Sequence, residues 1–215
     1  MSAIAGSPYG VGVSPTGVTV DPVQNLVYVA NEGDNTLSTF AADSSGALTP
    51  VSGSPVAASA GPCAIGADPM KGFLFVANCT ANWVTSYNDV AQGPGDLTKI
   101  SGVAGGTDPV SIATDPVAYF VYVANQGSND ISGFSIGGNV GGPGALTALE
   151  GSPYAVGAAP SSIAVDPTGR FAFVVNSGSG TIAVYAIDQT SGALSEIAGS
   201  SHVTGALPSA VAISD

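Results

Sequence analysis

The chain has 215 residues, 15 of them acidic and three basic, and its net charge of −12 at pH 7 argues against nucleic acid or an anionic membrane surface as partner. A mean hydropathy of +0.37 first suggests a membrane protein, yet uncharged stretches such as residues 44–67 are broken by Pro50, Pro55 and Pro62, so none reads as a continuous apolar span. Apolar residues at 45% and regularly spaced aromatics exclude a disordered chain, and 30 glycines with 15 prolines favour short strands and tight turns.

Met1-Ser2-Ala3-Ile4 has neither the basic nor the apolar region of a signal peptide. The next residues, Ile4-Ala5-Gly6-Ser7-Pro8, match Val51-Ser52-Gly53-Ser54-Pro55 and predict an orphan outer strand over residues 2–6. A first full unit follows. Strand A is predicted over residues 17–20, strand B over 26–30, strand C over 36–40 and strand D over 47–51, each bounded by turn residues. Asp21-Pro22 suits the A–B reversal, because proline fixes φ while aspartate bonds the backbone two residues on.

The same unit then recurs. Asp21-Pro22, Asp68-Pro69, Asp115-Pro116 and Asp166-Pro167 follow one another in steps of 47, 47 and 51. Tyr28-Val29-Ala30-Asn31, Phe75-Val76-Ala77-Asn78, Tyr122-Val123-Ala124-Asn125 and Phe173-Val174-Val175-Asn176 keep the same register, as do Phe40, Tyr87, Phe134 and Tyr185. Complete units are expected at residues 14–53, 61–102, 108–151 and 159–199. Residues 207–213 match 159–165 and predict an orphan inner strand. No window sustains a helical period, so no helix is expected.

Strand B is apolar at successive positions, which means burial on both faces. Small four-stranded sheets that repeat every ~40–50 residues and cover one another's faces are propeller blades. The fold class is therefore all-β: a β-propeller with four complete blades plus an N-terminal outer strand and a C-terminal inner strand, partial or completed by oligomerisation. An open array leaves apolar faces and strand edges bare. Self-association through blade edges, or a longer parent chain, is thus expected ahead of a closed ring of four.

The Tyr-Val-Ala-Asn segments, each followed by a Gly/Asn turn and a Thr-Ile/Leu-x-x-Phe/Tyr strand, resemble the YVTN-type repeats of lactonase-like β-propellers, most closely at residues 26–40, 120–134 and 171–185. The resemblance implies a ring of about seven blades, more than this length allows. It also implies a ligand site around the channel mouth, on the face shared by the D–A and B–C loops, and basic residues in members that act on phosphorylated lactones.

Sorting polar residues by loop gives that face its candidates. The B–C loops carry Glu32, Asp34, Asn35, Asn82, Asn129 and Asp130, and the D–A connections carry Tyr9, Asp108, Tyr154 and His202. Lys71 and Arg170 fall on A–B turns at the opposite face and Lys99 on an outer strand, so His202 is the only basic side chain expected near the site. Tyr9, Glu32, Asp34, Asp130, Tyr154 and His202 are the candidate ligand-binding residues; no catalytic set, metal site or cofactor is expected. Residues 31–35 cluster oxygen ligands without a full Ca²⁺-loop pattern, and the glycine-rich run 137–144 leads into a strand, so it reads as a long C–D turn. Trp83 opens strand C where other units have Thr36, Ile131 or Thr181, and core packing is expected for it. Cys63 and Cys79 lie symmetrically about the A–B reversal of the second unit, opposite each other as a disulfide needs. A bridge implies an oxidising compartment, extracellular or at the cell surface. The leading expectation is a non-enzymatic secreted or surface-associated binding or assembly module. The alternatives are a lactone hydrolase with its site on the D–A/B–C face, and a subunit of an extracellular filament or surface layer.

Overall fold

The computed structural model describes residues 4, 6–21, 23–70, 72–89, 95–137 and 142–213, and these form 19 strands and no helix. The first blade holds β1 (Pro15–Asp21), β2 (Leu26–Asn31), β3 (Thr36–Ala42) and β4 (Leu48–Pro50), and β5 (Val56–Ala57) returns to pair with the start of β3. The second holds β6 (Pro62–Ala67), β7 (Phe73–Asn78), β8 (Trp83–Asn88) and β9 (Thr98–Ala104). The third runs through β10 (Pro109–Thr114), β11 (Phe120–Asn125), β12 (Asp130–Gly137), β13 (Ala145–Ala148) and β14 (Tyr154–Ala155). The fourth repeats it as β15 (Pro160–Val165), β16 (Phe171–Asn176), β17 (Thr181–Ile187), β18 (Leu194–Glu196) and β19 (His202–Val203). Each sheet is an antiparallel meander.

Turn chemistry sets the register. Asp21 Oδ1 accepts the N–H groups of Val23 and Gln24 at 2.7 and 3.1 Å, and Asp115 Oδ1 does the same for Val117 and Ala118 at 2.9 and 3.0 Å. Pro22, Lys71 and residues 138–141 of the glycine-rich turn lie outside the described residues. The outer strand, expected to be single, is split in three blades. There a serine hydroxyl takes the place of a ladder carbonyl: Ser54, Ser152 and Ser200 Oγ accept the N–H groups of Thr39, Gly133 and Val184. Only β9 runs unbroken along the whole of β8.

Burial shows how the sheets stack. Every residue of β7 and β11 is buried, whereas β2 and β16 alternate between buried and half-buried. Three apolar clusters fill the gaps between consecutive blades: Tyr28 with Leu74 and Tyr87, Phe75 with Val121 and Phe134, and Tyr122 with Val174 and Tyr185. The inner strands pack in series, β1 on β6, β6 on β10 and β10 on β15, with no such packing of β15 on β1. The four blades thus form an open arc rather than a closed ring of four. Val18 is 67% exposed where its repeat equivalents Ile65 and Ile163 are 7% and 4% exposed.

Both ends continue the repeat in position without forming a ladder. Ile4 Cδ1 lies over the first blade's turn, 2.9 Å from where a Cβ on Gly46 would sit; Leu149 Cδ1 stands in the same relation to Gly192. Ser161 Oγ donates to Pro208 O at 2.9 Å and Val211 N–H donates to Ser162 Oγ at 3.2 Å, repeating the contacts of Thr16 with Pro62 and of Ile163 with Ser111. Residues 207–213 therefore occupy a fifth inner-strand place, but with no partner strand beside them they carry no ladder. Of the predicted N-terminal strand, Ile4 and Gly6 are not in a strand and the rest lie outside the described residues.

Phe75 and Phe173 share one repeat position, the first sealed between blades and the second on the open face of the fourth. Phe75→Ala is expected to cost about 3–5 kcal/mol, and Phe173→Ala less than half of that. Urea unfolding of both variants checks this.

Candidate functional site

One end of the arc gathers the turns β2–β3, β7–β8 and β11–β12 with the connections that enter β6, β10 and β15. Three asparagines there lie in the left-handed region, Asn35, Asn82 and Asn129, with φ of 55°, 55° and 58°. Their Oδ1 atoms accept backbone N–H groups of the following blade, from Gly61, Asp108 and Ala159, at 2.7, 2.8 and 2.7 Å. Asparagine tolerates that conformation and reaches across the gap, so each one staples two blades. The fourth blade has Gly180 instead, which offers no such acceptor to residues 207–213.

Much of the remaining polarity is spent in the same way. The buried Asn125 donates to Asp130 Oδ1 at 2.7 Å and to Ser132 Oγ at 3.0 Å, as Asn31 donates to Thr36 and Ser38. Asp34 accepts from Val13 N–H at 3.0 Å and from the Thr36 hydroxyl at 2.8 Å, and these two bonds hold its carboxyl below the usual range. Ser128 and Ser179 make the equivalent bonds to Thr107 and Ala158. Asp34 and Asp130 are thus tied into the blade edges.

Glu32 differs. Its half-buried carboxylate accepts no hydrogen bond among the described residues, and it shares a repeat position with Cys79. Cys79 is joined to Cys63 of the inner strand, with a Cα–Cα separation of 6.0 Å. That position therefore lies beside the inner strand, at the mouth of the channel. The channel wall encloses about 430 Å³ lined by residues such as Thr16, Ala64, Ser111 and Ile112, none of them ionisable.

Tyr9, Tyr154 and His202 turn out to be one repeat position, each three residues past a glycine of the outer strand. Tyr154 pairs opposite Ile131 and donates its hydroxyl to Glu150 O at 3.0 Å; burial raises its pKa. His202 is exposed opposite Ile182. Both lie on outer strands at the periphery, and Glu32 and His202 belong to the first and fourth blades, so the candidates are not brought together. Two expectations need correction. Lys99 extends from its outer strand to the D–A connection, where its Nζ donates to Ser59 Oγ at 3.4 Å, so this end does hold a cation. Trp83 is 38% exposed rather than in the core. Among the described residues, no group of three His, Cys, Asp or Glu side chains gathers as a metal site.

The opposite end holds a buried acidic pair between the first two blades. Gln24 Nε2 donates to Asp21 Oδ2 at 3.0 Å and to Asp89 Oδ2 at 2.9 Å, and the Tyr28 hydroxyl donates to Asp89 Oδ2 at 2.8 Å. Asp89 is 1% exposed, at a position that is Ala42, Ile136 or Ile187 elsewhere. Burial raises its pKa, and raises that of Tyr28 with help from the bond to Asp89.

These features define an arc of a β-propeller whose ring-mouth end is polar and stapled. The model of the family described as Lactonase, 7-bladed beta-propeller, matches residues 5–103 and 95–212, and the chain belongs to that family. Among solved structures it is similar to a Bacteroides uniformis protein assigned as a 6-phosphogluconolactonase, at 16% identity and a TM-score of 0.78, over 90% of this chain and 56% of that one. A Bacteroides fragilis protein with the same assignment gives 18% identity and a TM-score of 0.78, over 91% and 56% of the two chains. The periplasmic gluconolactonase of Pseudomonas aeruginosa gives 20% identity and 0.72, over 91% and 55%. The chain thus spans a little over half the length of these structures. No curated protein matches it.

Two outcomes follow for stability. The Cys63→Ser/Cys79→Ser variant should fold, because blade four already has Ser161 and Ser177 at these positions, but lose about 3 kcal/mol for a loop of this length. Urea unfolding with and without reductant measures that loss. A carboxyl whose folded pKa is raised stabilises the fold below its unfolded pKa, and that contribution is lost as pH rises through the folded value. Asp89→Asn should therefore match the parent in Tm near pH 4 and exceed it increasingly toward pH 7; a difference independent of pH would contradict the assignment.

Proposed function

We propose that these four blades belong to a propeller that hydrolyses sugar lactones at the mouth of its channel, on the D–A/B–C face. The single observation that carries this reading is the family match over residues 5–103 and 95–212. The assigned activities of the similar bacterial structures support it further. It takes precedence over the non-enzymatic module expected first.

Within the chain, Glu32 is the side chain suited to act as general base. It stands at the channel mouth with its carboxylate free of the hydrogen bonds that occupy Asp34 and Asp130. In the proposed step Glu32 takes a proton from water as the water oxygen bonds to the lactone carbonyl carbon. Collapse of the resulting oxyanion breaks the ring C–O bond, and the proton passes to the departing ring oxygen. With no ionisable residue on the described channel wall, the oxyanion is left to neutral donors. The same wall favours an unphosphorylated lactone. The Cys63–Cys79 bridge fits work in an oxidising compartment.

The absence of a convergent set among Glu32, Asp130 and His202 is what favours a second reading, a binding or assembly module that associates through its open blade faces, where Val18 and Val20 are exposed. A pH-stat assay with six-carbon δ-lactones distinguishes the two. Turnover above spontaneous ring opening is expected, falling about 10²-fold or more in Glu32→Gln, with no preference for the phosphorylated substrate. No turnover on any lactone would sink the hydrolase reading and leave the module.

A further inference from the structure

Besides its disulfide and Asp89, the second blade departs from the others at four positions that the structure gathers on one side of one sheet. Trp83 stands where the other blades have Thr36, Asp130 and Thr181; strand pairing puts Asp130, and not the Ile131 expected from sequence, at this position. Lys99 stands where they have Pro50, Ala148 and Glu196, each opposite the aromatic residue of the third strand. Ser59 replaces Gly12, Gly106 and Gly157. Gly102 falls at the place of Pro55 and Pro153, and the second blade lacks the Gly-Ser-Pro break, so β9 is continuous.

Register turns these departures into a surface. Trp83, Thr85 and Tyr87 are alternate residues of β8 and share a face, and they pair with Ala104, Gly102 and Lys99. A Cβ on Gly102 would overlap the indole nitrogen, so glycine is what lets the Trp83 ring lie flat on the outer strand with one side open. Beyond it, Ser59 Oγ and Thr85 Oγ1 lie 3.3 Å apart, and Lys99 Nζ reaches Ser59 Oγ. Thr85 is two residues from Trp83, about 7 Å along the strand. Thr85 itself is fully buried beneath Ser59 and accepts from Asn78 Nδ2 at 3.0 Å, so the face presents an aromatic plate, then the Ser59 hydroxyl, then an ammonium, within the span of one sugar ring bearing a carboxylate. The other described cation, Arg170, sits over the Phe171 ring at the opposite end of the arc.

We propose that this face of the second blade binds an acidic monosaccharide unit, a sugar acid or uronate. One C–H face of the ring stacks on Trp83, a hydroxyl meets Ser59, and the carboxylate pairs with Lys99. The site is separate from the channel mouth and holds whether or not lactones are hydrolysed there.

Trp83 is the only tryptophan of the chain, so its emission reports on this face alone. Fluorescence titration of the full chain with D-glucuronate should give a saturable change, with D-glucose at least ~10-fold weaker, the factor expected for one lost charge-assisted contact, and acetate inert. Lys99→Ala, an exposed change that leaves the fluorophore in place, should weaken glucuronate binding by a similar factor. Gly102→Ala should alter the unliganded emission and abolish the response, with a thermal melt confirming that it folds. A flat titration with glucuronate overturns the proposal, as does unchanged affinity in Lys99→Ala. Loss of lactone turnover alone would bear only on the channel mouth.

Discussion

The structure depends on each sheet having both faces covered by its neighbours. A four-stranded meander cannot bury two apolar faces by itself, so its stability is that of the stack. The central strands record this directly: β7 and β11, with a blade on either side, are buried at every residue, while β2 and β16, with a blade on one side only, alternate. Because Val18 and Ile65 are both β-branched aliphatics at the same inner-strand position, their difference in exposure is caused by position in the array and not by residue type. The open faces at the two ends are therefore ordinary blade interfaces that lack their counterpart.

Apolar packing fixes the spacing of blades but says little about their rotation. Directional bonds supply that, and they explain why so little polarity is left for chemistry. Asn35, Asn82 and Asn129 each reach into the next blade, and Asn31, Asn78, Asn125 and Asn176 close the strand ends from within. Asp34 and Asp130 belong to the same network, substituting for Ser or Thr at their positions. Glu32 escapes it because its position points at the inner strand, where the second blade places a disulfide.

The repeat, the strand order and the Asp-Pro turns were all legible in the sequence, since each depends on contacts within one unit that recur at fixed spacing. What sequence reading missed crosses between elements. Assigning Lys99 to an outer strand is correct for its backbone, but a four-carbon stem carries its charge to another loop. The loops that follow Tyr9, Tyr154 and His202 suggest mouth residues, although their common spacing from a glycine marks one outer-strand position. Trp83 looked like core because aromatics elsewhere in the unit are core, and its exposure depends on a glycine nineteen residues further on in the neighbouring strand.

In a repeat protein, the residues that recur are those the stack requires, and recurrence is thus an argument against function rather than for it. By that measure the buried Asp89 and the face built by Ser59, Trp83, Lys99 and Gly102 carry more information than any member of the Tyr-Val-Ala-Asn tracts. Asp89 introduces a carboxylate where other blades place Ala or Ile, at a desolvation cost that the Gln24 and Tyr28 bonds only partly offset. The Trp83 face exposes a large aromatic and removes a turn motif that the other three blades keep in whole or in part. Asp89 gains two bonds from the first blade but at a net desolvation cost, the Trp83 face adds none, and both lie in or against the second blade. Packing explains why the four sheets are alike; it gives no reason for the second to differ, whereas a ligand on its Trp83 face would.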